Sequence, residues 1–397
     1  MRKARLFALL MAGIASTAWA ASDEQPPASG VTIASRATPI AATELTALEH
    51  PWGIERLPDD GFLITEKPGR LRIWREGALS APITGVPAVD FAGQGGLLDV
   101  ALDPDFAANG IIYLAYSEAA EQQPGGRDVA DPRLGVFQDL DDGVVKGLAV
   151  ARARLDGARL AEVRVIWRAE KTVGRGHFGG RLAFAPDGAL LIASGDRQRF
   201  EPAQDLASDL GKILRIDPAT GAPMPGNPFS RERASADVWS YGHRNPLGIT
   251  RRPGTEEIWV AEMGPQNGDE LNLIRGGGNF GWPLESAGDN YNQTPLPRKA
   301  VADTIAPQQS FPLAISPATI LFYDGELFAP WRGNVLVGAL NRPGILRGVP
   351  AADGVHDLEH IETGFRVRDI AIDSDGSLLA LKDGADGALI RLVPAGR

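Results

Sequence analysis

The sequence contains no cysteine. Disulfides and thiolate metal sites are therefore excluded, and any bound metal must rest on oxygen or on imidazole nitrogen. Basic charge is short as well: 40 Lys and Arg against 50 Asp and Glu leave a formal net charge of −10. That balance disfavours general nucleic-acid binding while still permitting a local basic pocket. Histidine is scarce, with five in 397 residues. The apolar run Leu6 to Ala15 is too short to span a membrane. It follows Arg2, Lys3 and Arg5 and precedes Ala18-Trp19-Ala20, the order of a secretory signal with its small-x-small cleavage site. Residues 1–20 read as that signal, so the mature chain is expected in a periplasm or beyond. Residues 21 to about 40 read as a polar, flexible leader.

What the chain does have is glycine (47) and proline (30), spread between short apolar runs, a distribution that suits strands and tight turns. Hydrophobic content of 44% is enough for a real core. A strand–turn–strand unit recurs six times: Ile54 to Thr65, Leu98 to Tyr116, Leu182 to Ser194, Gly248 to Ala261, Leu321 to Ala339 and Ile370 to Leu381. Each alternates apolar and polar residues, as half-buried strands do, and long amphipathic helical patterns are missing. Six degenerate copies predict an all-β, six-bladed β-propeller spanning residues 41–397, since radial repetition removes exposed sheet edges. A pair of sandwiches is the alternative. Residues 118–148 and 284–310 read as long inter-blade connections, the first either a site-building loop or a plain insertion, the second a cover for one rim of the pocket.

Chemistry-bearing motifs precede the repeats. They are Gly93-Gln94-Gly95-Gly96-Leu97-Leu98, the glycine-rich loop around His177 that leads on to Asp196, Tyr241-Gly242-His243-Arg244-Asn245-Pro246, and Arg366-Val367-Arg368. Loops at equivalent places in a propeller converge on one end of its channel, so one histidine, an amide, carboxylates and three arginines should meet there. Histidine is the side chain suited to proton transfer near neutral pH. Arg366 and Arg368, two apart on a strand, share a face and can grip one anion, with Arg244 a third cation for a polyanionic ligand. Gly264-Pro265, with Asp269 and Glu270 close behind, offers oxygen ligands of the kind a hard cation such as calcium takes, although most such turns bind none.

These motifs, with Gly-Pro-x-x-x-Asp-Glu-x-Asn and Gly-Gly-Asn-Phe-Gly-Trp-Pro, occur in an order that resembles the soluble, pyrroloquinoline-quinone (PQQ)-dependent glucose and aldose sugar dehydrogenases from about residue 45 to 395. The resemblance implies a propeller with the quinone over its axis beside Ca2+. It further implies that His177 is the general base for the sugar's anomeric hydroxyl, oriented by Asp196. Gln94, Arg244, Asn245, Arg366 and Arg368 would hold the cofactor, and Arg244 would also steady charge developing on the quinone. Gly264 and Pro265 would give backbone oxygens to Ca2+. There are departures. Gly176 stands where the glucose enzymes have an aspartate. Asn341 stands at a cofactor-contacting lysine, with Arg342 beside it as a substitute. Gln309 and Pro312 fall where aromatic residues line the glucose pocket. The aldose branch fits better than the strict glucose enzymes. The expected partners are an aldose sugar and an external electron acceptor, with the preferred sugar and the oligomeric state left open. A calcium-dependent lactonase would not need converging arginines with His177, and a non-catalytic binding module would need none of this set.

Overall fold

The computed structural model describes residues 30–123, 143–229, 236–291 and 295–396. The proposed signal segment and the middle of the 118–148 connection lie outside the described residues. The two long connections run within blades rather than between them: 118–148 joins Ile111–Ala119 to Lys146–Asp156, and 284–310 lies between Asp269–Leu273 and Gln309–Phe311, in each case neighbouring strands of one sheet. Six antiparallel sheets form a β-propeller. Its innermost strands are Pro51–Arg56, Leu97–Leu102, Gly179–Phe184, Pro246–Arg251, Pro317–Phe322 and Val367–Ile372. They neighbour one another in that order, and the last returns to the first. We number the blades one to six accordingly. All six recurrent units of the sequence coincide with the two inner strands of a blade. Turn chemistry explains blades one, three, four and six, where Pro58-Asp59, Pro186-Asp187-Gly188, Pro253-Gly254 and Asp375-Gly376 close hairpins between runs whose alternate residues must be buried, while short helices at Phe106–Asn109 and Ala329–Trp331 interrupt the connections of blades two and five.

Blade six is completed from the other end of the chain. Ile40–Leu48 pairs antiparallel with Gly387–Pro394, from Ile40 opposite Pro394 to Leu48 opposite Gly387. The leader extends less far than its polarity implies, because Val31–Ile33 adds a further strand, Val31 facing Ala42 and Ile33 facing Ile40. Its alternation Val-Thr-Ile, with Ile33 buried, is the signal that the polar composition of residues 21–29 obscured. The connection 284–310 is also more structured than expected at its end, where Gln309–Phe311 forms the outer strand of blade four.

The apolar core lies between blades. Leu63 and Leu71 of blade one share a buried cluster with Val100 and Leu114 of blade two. Clusters spanning the other blade boundaries bring together Leu148 and Leu190, Leu191 and Val260, Trp259 and Ile320, Tyr323 and Ile370, and Leu389 and Ile64. At the axis sits Arg181. Its Nη1 donates to Asp369 (2.6 Å) and Asp99 (3.1 Å), its Nε to the Leu247 carbonyl (2.8 Å), and its Nη2 to the carbonyls of Ala318 (2.9 Å) and Arg368 (3.2 Å). The guanidinium lies 4.1 Å from the Trp52 ring centroid. One side chain thus touches all five other blades.

Candidate active site

In every blade the pairing of the two inner strands is interrupted near the start of the innermost one, between Pro51 and Ile54, Leu97 and Val100, Gly179 and Leu182, Pro246 and Gly248, Pro317 and Thr319, and Val367 and Asp369. Such irregularities bend a strand and re-aim its side chains. Here they turn the entering loops over one mouth of the channel, and three of those loops are stitched together. Gln94 donates its N–H to the Arg175 carbonyl (2.7 Å) and accepts the His177 N–H at its Oε1 (2.8 Å). The Asn245 Oδ1 accepts the Gly179 N–H (3.2 Å), and the Arg244 carbonyl accepts the Asp196 N–H (2.8 Å).

His177 Nδ1 lies 2.6 Å from Asp196 Oδ1. Asp196 also takes the Gln198 N–H (2.7 Å) and, at Oδ2, the Trp282 indole N–H (2.8 Å). An ionised carboxylate only accepts, so His177 must carry its proton on Nδ1, which makes Nε2 the lone-pair nitrogen. Burial lowers the pKa of His177 from its ordinary value, and the Arg244 cation lowers it further, against the opposing pull of Asp196. The imidazole is therefore a neutral base at neutral pH. Its backbone is held at φ +48, with Arg197 and Gln198 also at positive φ, the clustering of sparsely populated conformations found at functional sites. Gly195 is required beneath it, since a Cβ there would stand 2.3 Å from the His177 carbonyl oxygen.

The departure at Gly176 has a steric cause. A Cβ at that position would lie 2.7 Å from Cδ of Gln198, whose buried Oε1 has no hydrogen-bond partner among the described residues. Gln198 fills the space an aspartate would need. Arg197 donates to the carbonyls of Gly176 (2.9 Å) and Lys146 (2.7 Å) and to that of Gly174, and stacks 3.9 Å from the Phe178 ring. The loop carrying His177 is thereby clamped from behind.

A cavity of about 490 Å³ opens at this mouth, lined among others by Gln94, Phe178, Gly179, Arg366, Arg368 and Asp383. Arg366 Nε (2.9 Å) and Arg368 Nε (2.8 Å) share the Asp383 carboxylate. Shared pairing with the two arginines holds the pKa of Asp383 below the usual carboxylate range despite its burial. His177, Arg244 and Asn245 stand behind the cavity wall, 5%, 3% and 0% exposed. Arg244 Nη1 donates to the carbonyls of Gly264 (2.6 Å) and Met263 (3.2 Å), and its guanidinium lies 5.3 Å from the Trp282 ring. Its backbone N–H is held by Glu262, which also bonds His243 Nδ1 (2.9 Å).

Gly264 borders a small second recess with Arg244 and Glu262, and Pro265 is buried beside it. Asp269 does not face that recess as a ligand. Its carboxylate is taken by the N–H groups of Gly264 (2.8 Å), Ile315 (2.7 Å) and Ser316 (2.7 Å). Glu262, Glu270 and Glu285 also border the recess, but among the described residues no group of three acidic or histidine side chains has metal-ligand spacing.

Arg342 does not join the site. It is exposed, lies outside the cavity lining, has φ +58, and its carbonyl accepts His360 Nε2 (3.1 Å). Gln309 and Pro312 also stay out of the cavity, where Tyr291 of the 284–310 connection supplies an aromatic ring instead. Trp282, Asp383, Gln198 and Lys67 were not singled out from the sequence. Trp282 belongs to the Gly-Gly-Asn-Phe-Gly-Trp-Pro motif, and Asp383 occupies, in blade six, the place just past the second strand that Asp196 holds in blade three.

The glucose/sorbosone dehydrogenase family model matches residues 48–391. Over 357 residues the chain is 38% identical to the aldose sugar dehydrogenase YliI of Escherichia coli, covering 87% of this chain and 91% of that protein. It is 28% identical to quinoprotein glucose dehydrogenase B of Acinetobacter calcoaceticus, over 60% of this chain and 51% of that one. The crystal structure of the soluble aldose sugar dehydrogenase of E. coli in its apo-form superposes with a TM-score of 0.80 at 35% identity, covering 89% and 99% of the two chains. Sequence match, blade order and site geometry agree, and the chain belongs to the glucose/sorbosone dehydrogenase family.

Proposed function

We propose that the protein is a quinoprotein that oxidises the anomeric hydroxyl of aldose sugars to the lactone. The observation that carries this reading is the buried His177–Asp196 pair (2.6 Å) set beside a cavity whose far wall holds Arg366 and Arg368. PQQ, a tricarboxylate named by the resemblance and supported by the quinoprotein relative, fits a cationic pocket of this size, with Gln94, Arg366 and Arg368 to hold it and Asn245 behind the wall supporting Gly179. When bound it supplies the two-electron, hydride-accepting group that protein side chains lack. His177 Nε2 receives the hydroxyl proton as the anomeric C–H bond gives up its electron pair. Asp196 fixes the tautomer and stabilises the imidazolium that forms, and Trp282 keeps Asp196 in place. Arg244 places positive charge next to these groups, where negative charge develops on the acceptor side. Ca2+ would be held by the Gly264 and Pro265 carbonyls, acting as a Lewis acid there, and the hydrogen bond from Arg244 Nη1 to the Gly264 carbonyl (2.6 Å) would have to give way to it. The signal-like first twenty residues point to export, and an external electron acceptor completes the cycle.

The test is titration of the chelator-treated protein with PQQ, with and without Ca2+, while aldose-dependent reduction of an artificial acceptor is followed. Saturable activity that needs both components is expected. An absence of quinone binding would overturn the cofactor and raise the lactonase in its place.

A further inference from the structure

The cavity has a cation that neither the motifs nor the resemblance supplied. Lys67 stands one residue past the strand Phe62–Glu66 and lines the cavity together with Arg366 and Arg368. Its backbone is fixed on both sides: its N–H donates to the His50 carbonyl (2.9 Å), and its carbonyl accepts the Leu97 N–H (2.9 Å). The side chain runs over the Phe91 ring at 5.4 Å and ends with Nζ 2.8 Å from the Gly93 carbonyl. Gly93 directly precedes Gln94, so the ammonium is anchored to the loop that also holds the His177 backbone. Among the described residues no carboxylate lies within 4.0 Å of Nζ, because the cavity's one acidic side chain, Asp383, is already shared by Arg366 and Arg368. Three cations against one carboxylate make this mouth positive in a protein whose net charge is −10, and an anion is what would balance it.

We infer that Lys67 is the third cation of the cofactor clamp, binding a carboxylate of the quinone from blade one. This inference rests on the quinoprotein reading above. It also accounts for the departure at Asn341, since Arg342 is turned away to solvent and the charge missing from blade five is provided across the cavity. Arginine forks grip carboxylates bidentately, whereas a lysine acts as a compact point charge that tolerates a range of approach. A lysine opposite two paired arginines therefore suits the third carboxylate of a rigid ligand.

The electrostatics of the clamp support this assignment. Burial lowers the pKa of Lys67 to about 8, Arg368 pushes in the same direction, and Asp383 opposes them. Arg366, His50 and Tyr291 are the other ionisable groups lining the cavity. An arriving carboxylate favours the charged lysine, so binding draws in a proton around pH 8. Affinity is highest below that pH and falls as the pH rises through it.

The experiment is calorimetric and absorbance titration of the metal-loaded apoprotein with PQQ. It compares the wild type with Lys67→Met, Lys67→Arg and the exposed control Lys299→Met, each checked for folding by circular dichroism and thermal melting. Loss of one charge-assisted contact predicts binding weaker by roughly 10- to 100-fold in Lys67→Met, while Lys67→Arg and Lys299→Met stay within a few-fold of wild type. Wild type should take up protons on binding at pH 8, detected in buffers of different ionisation enthalpy, and Lys67→Arg should not. That second measurement decides the matter if Lys67→Met fails to fold. Equal affinity for wild type and folded Lys67→Met, or equal proton uptake by wild type and Lys67→Arg, removes Lys67 from the clamp and leaves the quinoprotein reading standing. A wild type that does not bind PQQ removes both.

Discussion

At the scale of single residues, the protonation of His177 is set by burial and by charged neighbours acting in different senses. Burial and Arg244 favour the neutral ring, and Asp196 favours the charged one. The net effect is a pKa below the ordinary value of 6.5. Because the neutral form is the active one, lowering the pH through that depressed pKa removes the base. The acid limb of kcat/KM is therefore expected below pH 6.5 rather than at it, with activity retained upward through neutrality. Asp196→Asn removes the carboxylate's opposing pull and its preference for the Nδ1–H tautomer. It should lower the rate by about 10²- to 10⁴-fold, the range a general base contributes. His177→Ala should lose at least as much while the PQQ isotherm changes little. A limb at or above 6.5 in the wild type, or near-normal turnover in His177→Ala, would remove His177 from the role of base.

At the scale of elements, a regular device builds the site. In four blades an acidic side chain at or just past the end of the second strand reaches back to the loop entering the first. Glu66 accepts the Glu49 N–H (2.7 Å), Asp196 holds His177 (2.6 Å), Glu262 holds His243 (2.9 Å), and Asp383 holds Arg366 (2.9 Å). Extending the pairings of Gly179 with Ser194 and of Val367 with Lys382 sets Asp196 across from His177 and Asp383 across from Arg366, whereas Glu66 and Glu262 lie opposite Pro51 and Pro246; at the level of sequence His177 and Asp196 are paired by the family resemblance. The same register logic would have found Asp383, had the Arg366–Arg368 face been followed one strand further. Contacts that cross blades carry no such signal. Trp282 reaches Asp196 from 86 residues away, and Lys67 meets the arginines only because blade six closes against blade one. Arg342 stays out of the site for a local reason: it adjoins Asn341 in sequence, but with its backbone at φ +58 it is exposed and outside the cavity lining. The loop of His177 and the loop of Gln198 are also fitted to each other. Gly176→Asp should cost stability, on the order of the 1–3 kcal/mol typical of overpacking, read as a lower denaturant midpoint. Gly176→Asp with Gln198→Gly should recover most of that loss, because the second change removes the amide 2.7 Å from the new Cβ. A Gly176→Asp protein as stable as wild type would show that the two loops part easily.

At the scale of the whole molecule, the ring is closed twice. Ile40–Leu48 completes blade six at the rim, and Arg181 ties all the blades at the axis. The six repeats made the first kind of organisation visible, since strand alternation and turns recur along the chain. The second was invisible because a single arginine in Gly-Gly-Arg-Leu has no periodicity, and its partners Asp99, Leu247, Ala318 and Asp369 come from four different repeats. Arg181 is 5% exposed, and the carboxylates it neutralises are 5% (Asp99) and 4% (Asp369) exposed. Asp369 additionally accepts the Ile54 N–H (3.0 Å), and Asp99 the Leu182 N–H (2.9 Å). Removing the guanidinium strands two buried acids, and losing one partner of a buried ionic group costs about 3–5 kcal/mol. Arg181→Met should therefore lower the urea midpoint by that amount of stability without changing the slope, since the surface exposed on unfolding stays the same. Arg181→Met combined with Asp99→Asn and Asp369→Asn should be more stable than Arg181→Met alone, because the uncompensated charges are gone. If the triple variant were no better than the single one, the axial arginine would act through its carbonyl contacts and the Trp52 face rather than through charge.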